Sequence, residues 1–138
     1  MKIQLLFIST VLYTILLSCG VPNFRSATGS CVEIFKLLTE NCWSEIYSSS
    51  STIYRNRNSL EDFHNIKDWT DDELGGLLEY NNKYMYSASE VTNPLCSGRV
   101  VFVYKCSFER GQAEIIVEFI KEKNDYKLAD FKIIRYIE

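Results

Sequence analysis

Residues 98–138 constrain the fold more than any other stretch, because three runs there alternate apolar and polar side chains with a period of two. The first run places Val100, Phe102, Tyr104, Cys106 and Phe108 on one face. The second places Ala113, Ile115, Val117 and Phe119 on one face, with Glu114 and Glu118 opposite. Successive strand side chains point to opposite faces, so this pattern predicts antiparallel strands with one buried and one wet face. Glu109-Arg110-Gly111-Gln112 between them predicts a hairpin, its glycine supplying positive φ. The third run, 126–137, changes parity: Tyr126 and Leu128 share one, and Phe131, Ile133 and Ile137 the other. An inserted residue near Ala129-Asp130 predicts a β-bulge; a strand buried on both faces is the alternative. The polar segment 121–125 is the expected loop before it.

At the other end, Lys2 precedes an apolar run, 3–17, that is too short to span a bilayer, which needs about 20 residues. Residues 1–18 therefore read as a signal peptide. Leu16-Leu17-Ser18-Cys19 resembles the lipobox of bacterial lipoproteins, which implies acylation at Cys19 and a membrane-anchored, exported chain. Gly20 after that cysteine resembles the pattern that sorts lipoproteins to the outer membrane in enteric-type bacteria. Ordinary cleavage after Gly20, giving a secreted soluble protein, is the alternative. Two or three acyl chains anchor stably where one binds marginally. Residues 19–29 read as the lipidated N-terminus and a short tether, and 30–138 as one domain, since about 120 residues supply a single core.

Lys2 is the one charged residue of the signal segment, so its removal takes the net charge from −3 to −4. With no basic cluster beyond a pair, no nucleic-acid partner is implied.

Ser30-Cys31-Val32-Glu33 matches a capping box, and Cys31, Phe35, Leu38, Cys42 and Ile46 form one helical stripe, predicting a long helix that ends near Ser48. Ser59 caps a second helix with Leu60, Phe63 and Ile66 facing in. Thr70-Asp71-Asp72-Glu73 predicts a brief third one before Gly75-Gly76. Tyr80, Tyr84, Tyr86 and Ala88 share a parity and predict an edge-like first strand over 80–89. Helices followed by an antiparallel meander give an α+β domain: a long helix and short helices packed on one face of a four-stranded sheet. The order of elements, with Tyr104, Phe108, Gly111 and the string from Tyr126 to Ile133, resembles small lipoproteins of the cystatin-like/NTF2-like superfamily. The resemblance implies a cone between helix and sheet. Enzymes of that superfamily place an Asp or His with a Tyr in the cone; no position here matches such a motif.

The chain's single histidine, His64, excludes a multi-histidine metal centre, and no spacing of His, Cys, Asp and Glu suggests a metal or other cofactor. Asp71-Asp72-Glu73 are read as helix-start carboxylates that complement the dipole, rather than as cation ligands. Neither a phosphate-binding glycine loop nor a nucleophile elbow is present. The expected function is therefore a non-enzymatic binding or assembly module of the cell envelope. An isomerase-, dehydratase- or cyclase-type enzyme with His64 or Asp62 as base is the alternative.

Four cysteines besides Cys19 remain: Cys31, Cys42, Cys96 and Cys106. In an exported chain they predict two disulfides, with buried thiols as the alternative. On one continuous helix Cys31 and Cys42 would stand roughly 16 Å apart, beyond the reach of a disulfide of about 7 Å, so each would pair with a sheet-side cysteine. The wet face of the sheet carries a last expectation. Val101, Val103, Ile116 and Ile120 form an apolar island ringed by Arg99, Lys105, Glu114 and Glu118, as in a docking patch for a second copy or another envelope protein. Cover by the second helix or by the Asn93-Pro94 loop is the alternative.

Overall fold

The computed structural model describes residues 24–88 and 98–136. The signal segment, Cys19 and the Asn93-Pro94 loop with Cys96 lie outside the described residues.

Helix α1, Phe24–Thr39, starts six residues upstream of Ser30, within the segment expected as tether. The Ser30 hydroxyl does not cap it; it donates to the Tyr126 carbonyl at 3.0 Å, a tertiary bond replacing the local one. Ala27, Cys31, Ile34, Phe35 and Leu38 are its buried stripe. The helix expected through Ser48 breaks at Asn41, whose φ of 59° is left-handed. The Cys42 amide donates to Leu37 at 2.8 Å and the Asn41 amide to Leu38 at 3.1 Å, the Schellman pattern that closes a helix around one left-handed residue. Asparagine accepts that conformation at low cost. Helix α2, Trp43–Ser49, then restarts on the same core through Trp43 and Ile46.

The serine run does more than end a helix. Ser50 and Ser51 are buried, and Ser51 caps α3, Thr52–Arg57, by accepting from the Tyr54 amide. Helix α4, Leu60–Glu73, carries the expected Ser59 cap, which Asp62 completes as a capping box. Phe63 is buried and Ile66 half-buried, whereas Leu60 is exposed. Thr70 lies near the end of α4 rather than starting a new helix, and its carbonyl accepts from Leu74 and Gly75. Gly75, at φ 77°, turns the chain; a Cβ there would lie 2.6 Å from Glu109 Oε2.

The sheet is antiparallel in the order β1 (Leu77–Ala88), β2 (Arg99–Phe108), β3 (Gly111–Glu122), β4 (Asp125–Arg135). The β2–β3 hairpin has the expected register, with Val103 opposite Ile116 and Val101 opposite Glu118. The parity change in β4 is a bulge: Glu118 faces Asp130 and Phe119 faces Leu128, leaving Ala129 extra. Strand β1 begins at Leu77 and shifts register between Leu77 and Glu79 and between Asn82 and Tyr84. The second shift splits the expected tyrosine row. Tyr80 pairs with Cys106 and stacks on Phe35 with centroids 4.5 Å apart, while Tyr84 pairs with Val103 on the opposite face.

All four helices contact one face of the sheet. Between the layers, Phe63 meets Trp43, Tyr47, Tyr54 and Phe131 at centroid distances of 5.5–6.1 Å, and Phe102 meets Phe119 at 5.9 Å. Burying each such ring contributes about 1.5–3 kcal/mol.

Candidate functional site

The cone expected between helices and sheet narrows to a cavity of about 210 Å³ at one end of the sandwich. Its apolar wall is Leu38, Trp43, Phe108, Ile115 and Ile133; its rim is Thr39, Asn41, Thr70, Asp71 and the Gly75-Gly76 turn. The rest of the cone is filled, since Phe35, Leu38 and Phe102 are all buried in the core. Most polar groups of the rim are engaged within the chain. The Thr39 hydroxyl donates to Phe35, that of Thr70 to Ile66, and the Gly76 amide donates to Glu109. Asp71 pairs with Lys67 at 2.6 Å. An engaged carboxylate and two hydroxyls turned to helix carbonyls leave the cavity poorly equipped to move a proton.

The residues named for an enzyme are elsewhere. The Asp62 carboxylate accepts from the Ser59 amide at 2.8 Å, and this backbone bond, followed by the Ser59 hydroxyl, holds it below the ordinary carboxylate range. His64 Nε2 is 3.4 Å from Ser44 Oγ in an open hollow bounded by Glu45, Lys67 and Asp68. Neither residue lines the cavity. The acidic run at 71–73 ends α4, where the helix dipole disfavours negative charge. Lys67 offsets Asp71, Arg135 pairs with Glu73 at 2.5 Å, and the Arg110 guanidinium caps the Asp71 and Asp72 carbonyls.

The expected cysteine staple is absent among the described residues: Cys31, Cys42 and Cys106 are free thiols. The length argument behind the pairing also changes, because Cys42 stands beyond the break in α1 as the residue before α2. Burial pushes both Cys31 and Cys106 up to about 12, which keeps them protonated and unreactive at neutral pH. Tyr104 lies between them in effect, hydrogen-bonded to Cys31 and accepting from the Cys106 thiol through its carbonyl at 3.8 Å. Cys96 lies outside the described residues.

On the face away from the helices, the expected island is in register but partly sealed. Val101 and Val103 are buried, Val103 to 1 % exposure between Tyr84 and Ile116, while Ile116 and Ile120 are half-buried. Three ion pairs surround it: Arg99–Glu118 at 2.8 Å, Lys83–Glu114 at 2.9 Å and Lys132–Asp130 at 2.9 Å. Lys83 first, then the Tyr136 hydroxyl at 2.9 Å, hold Glu114 below its ordinary value. Tyr84 and Ile134, 48 % and 49 % exposed, extend the apolar area to both margins. Sequence reasoning did not include these two, because the bulge in β1 decides the face of Tyr84. Among the described residues no helix covers this face, so the second helix does not close it.

No protein-family model matches the chain, and no curated protein matches it.

Proposed function

We propose that this chain is a lipid-anchored cell-envelope protein that acts as a non-enzymatic binding or assembly module, a small lipoprotein of cystatin-like/NTF2-like kind. One observation carries the reading: the helix layer occupies a single face of an open sheet, and the other face presents branched apolar side chains inside a rim of closed ion pairs. Paired rim charges present little net charge, and an apolar centre in such a rim suits contact with another envelope protein or a second copy. The side chains offered to that partner are Ile116, Ile120, Tyr84 and Ile134; Val101 and Val103 support them from within the sheet.

Anchoring places the module at the membrane. Acylation of Cys19 leaves at most four residues, Gly20 to Asn23, before α1 begins, so the helix layer would be held close to the bilayer. On this reading, metabolic labelling with a palmitate analogue marks the wild-type chain and leaves Cys19→Ala unlabelled and released from membranes. Equal labelling of both would overturn the anchor.

A further inference from the structure

Among the described residues, no strand pairs with the outer edge of β4, and its second half lies beside an apolar groove. In an antiparallel ladder, alternate residues turn their N–H and C=O away from the neighbouring strand. The Tyr136 amide donates to the Gln112 carbonyl at 3.0 Å, which puts the even-numbered residues from 130 to 136 toward β3. Phe131, Ile133 and Arg135 therefore turn outward, and the Phe131 amide, donating to its neighbour Asp130 Oδ1 at 3.0 Å, agrees. Before the Ala129 bulge the outward set is even-numbered, and there the chain closes its own edge. Ser30 donates to the Tyr126 carbonyl at 3.0 Å, and the Ser51 amide to that of Leu128 at 2.8 Å. Past the bulge the helix layer supplies no such donor. The Phe131 carbonyl and both backbone groups of Ile133 have no hydrogen-bond partner among the described residues.

Beside that open stretch lies a groove of about 420 Å³ between β4 and the flank of α4. It is lined by Ile66, Trp69, Phe131 and Ile133, with Asn65 and Lys132 at its rim. Trp69, 40 % exposed, forms part of its wall. Three ion pairs stand near it: Lys132 with Asp130, Arg135 with Glu73, and Lys67 with Asp71.

We propose that the groove takes an extended polypeptide segment, uncharged and apolar at alternate positions, as a fifth strand on β4. Unpaired main-chain donors and acceptors select an extended backbone, and the groove, lined by Ile66, Trp69, Phe131 and Ile133, selects uncharged apolar side chains from the face turned toward α4. A second copy paired through the same edge would bring its own α4 to the same side of the joined sheet, with two Trp69 rings facing one seam. A segment without a helix layer fills the groove without that crowding. This inference rests on the edge and the helix side of the sheet, and stands independently of the anchor and the opposite face.

The test uses the purified chain and a short capped peptide alternating valine and serine, with the same peptide N-methylated at every second amide as control. Addition of the first peptide is expected to slow hydrogen exchange of the Ile133 amide at least tenfold and to shift the Trp69 emission to shorter wavelength. The N-methylated peptide is expected to do neither, and Trp69→Phe to remove the emission shift while the exchange effect persists. No effect of the peptide at millimolar concentration would overturn the proposal, as would equal effects of both peptides, since main-chain pairing would then be uninvolved. Protection of Ile133 that rises with protein concentration alone would also overturn it, by identifying a second copy as the occupant.

Discussion

The two faces of the sheet are built from the same four strands and do different work. On the helix side, aromatic rings from β1, β2 and β4 meet rings from α1, α2 and α4, mostly among buried carbon. On the other side the same strands offer valines and isoleucines fenced by ion pairs, with nothing from the helix layer above them. The difference teaches where stability is separated from the recognition proposed for the second face. Buried apolar area holds the fold, whereas surface ion pairs of this kind contribute only about 0–1 kcal/mol each and chiefly define a rim.

Substitutions on the two faces break or sharpen that contrast. The largest effect belongs to Phe63→Ala, which empties the centre of the ring cluster and should cost about 3–5 kcal/mol in a denaturant melt. Val103→Thr comes next. It lies on the face away from the helices but is buried between Tyr84 and Ile116, so an unpartnered hydroxyl there should cost about 1–3 kcal/mol. Gly75→Ala should lose about 1–2 kcal/mol, because its φ of 77° is left-handed and the new Cβ would press on Glu109. Ile134→Thr, half-exposed at the margin, should stay within about 0.5 kcal/mol of wild type. A loss at Ile134 as large as that at Val103 would mean that the chain itself covers this face, and the contrast would fail.

The sequence analysis was most accurate where one period governs a long run. The register of β2 with β3 followed from the alternation of β3 and the hairpin centred on Arg110-Gly111, and the β4 bulge from a change of parity near Ala129-Asp130. The break between α1 and α2 was not legible, because Cys42 and Ile46 continue the α1 stripe while belonging to a new helix on the same core. Nor was the face of Tyr84, since the polar segment around Asn82 and Lys83 carries no apolar alternation to betray a bulge. Of the candidate surfaces, Val101, Val103, Ile116 and Ile120 were legible as a group. The groove beside Trp69 was not, because it arises where α4 and β4 come together from distant parts of the chain.

Two smaller effects sharpen the account at the level of single protons. Glu114 is held below its ordinary value of 4.5, so its contribution to stability is present above that value and lost as pH falls through the lower folded one. Glu114→Gln should therefore flatten the stability curve below about pH 4.5 and leave its neutral limb unchanged; identical acid limbs would contradict the Lys83 pairing. For the thiols, iodoacetamide at pH 8 should label half-exposed Cys42 first and leave Cys31 and Cys106 unmodified until the chain unfolds. Their contribution is present below the ordinary thiol value of 9.0 and is lost as pH rises toward about 12. Rapid labelling of Cys31 would show the layers to be looser than described.

The separation of the two faces is tested most directly by site-specific photocrosslinking in cells that make the protein. A benzoylphenylalanine placed at Tyr84 or Ile134, on the face away from the helices, is compared with one at Val32, 55 % exposed on the helix layer. The account predicts a discrete adduct, to another protein or to a second copy, from positions 84 and 134 and none from position 32. Adducts from position 32 alone would contradict it.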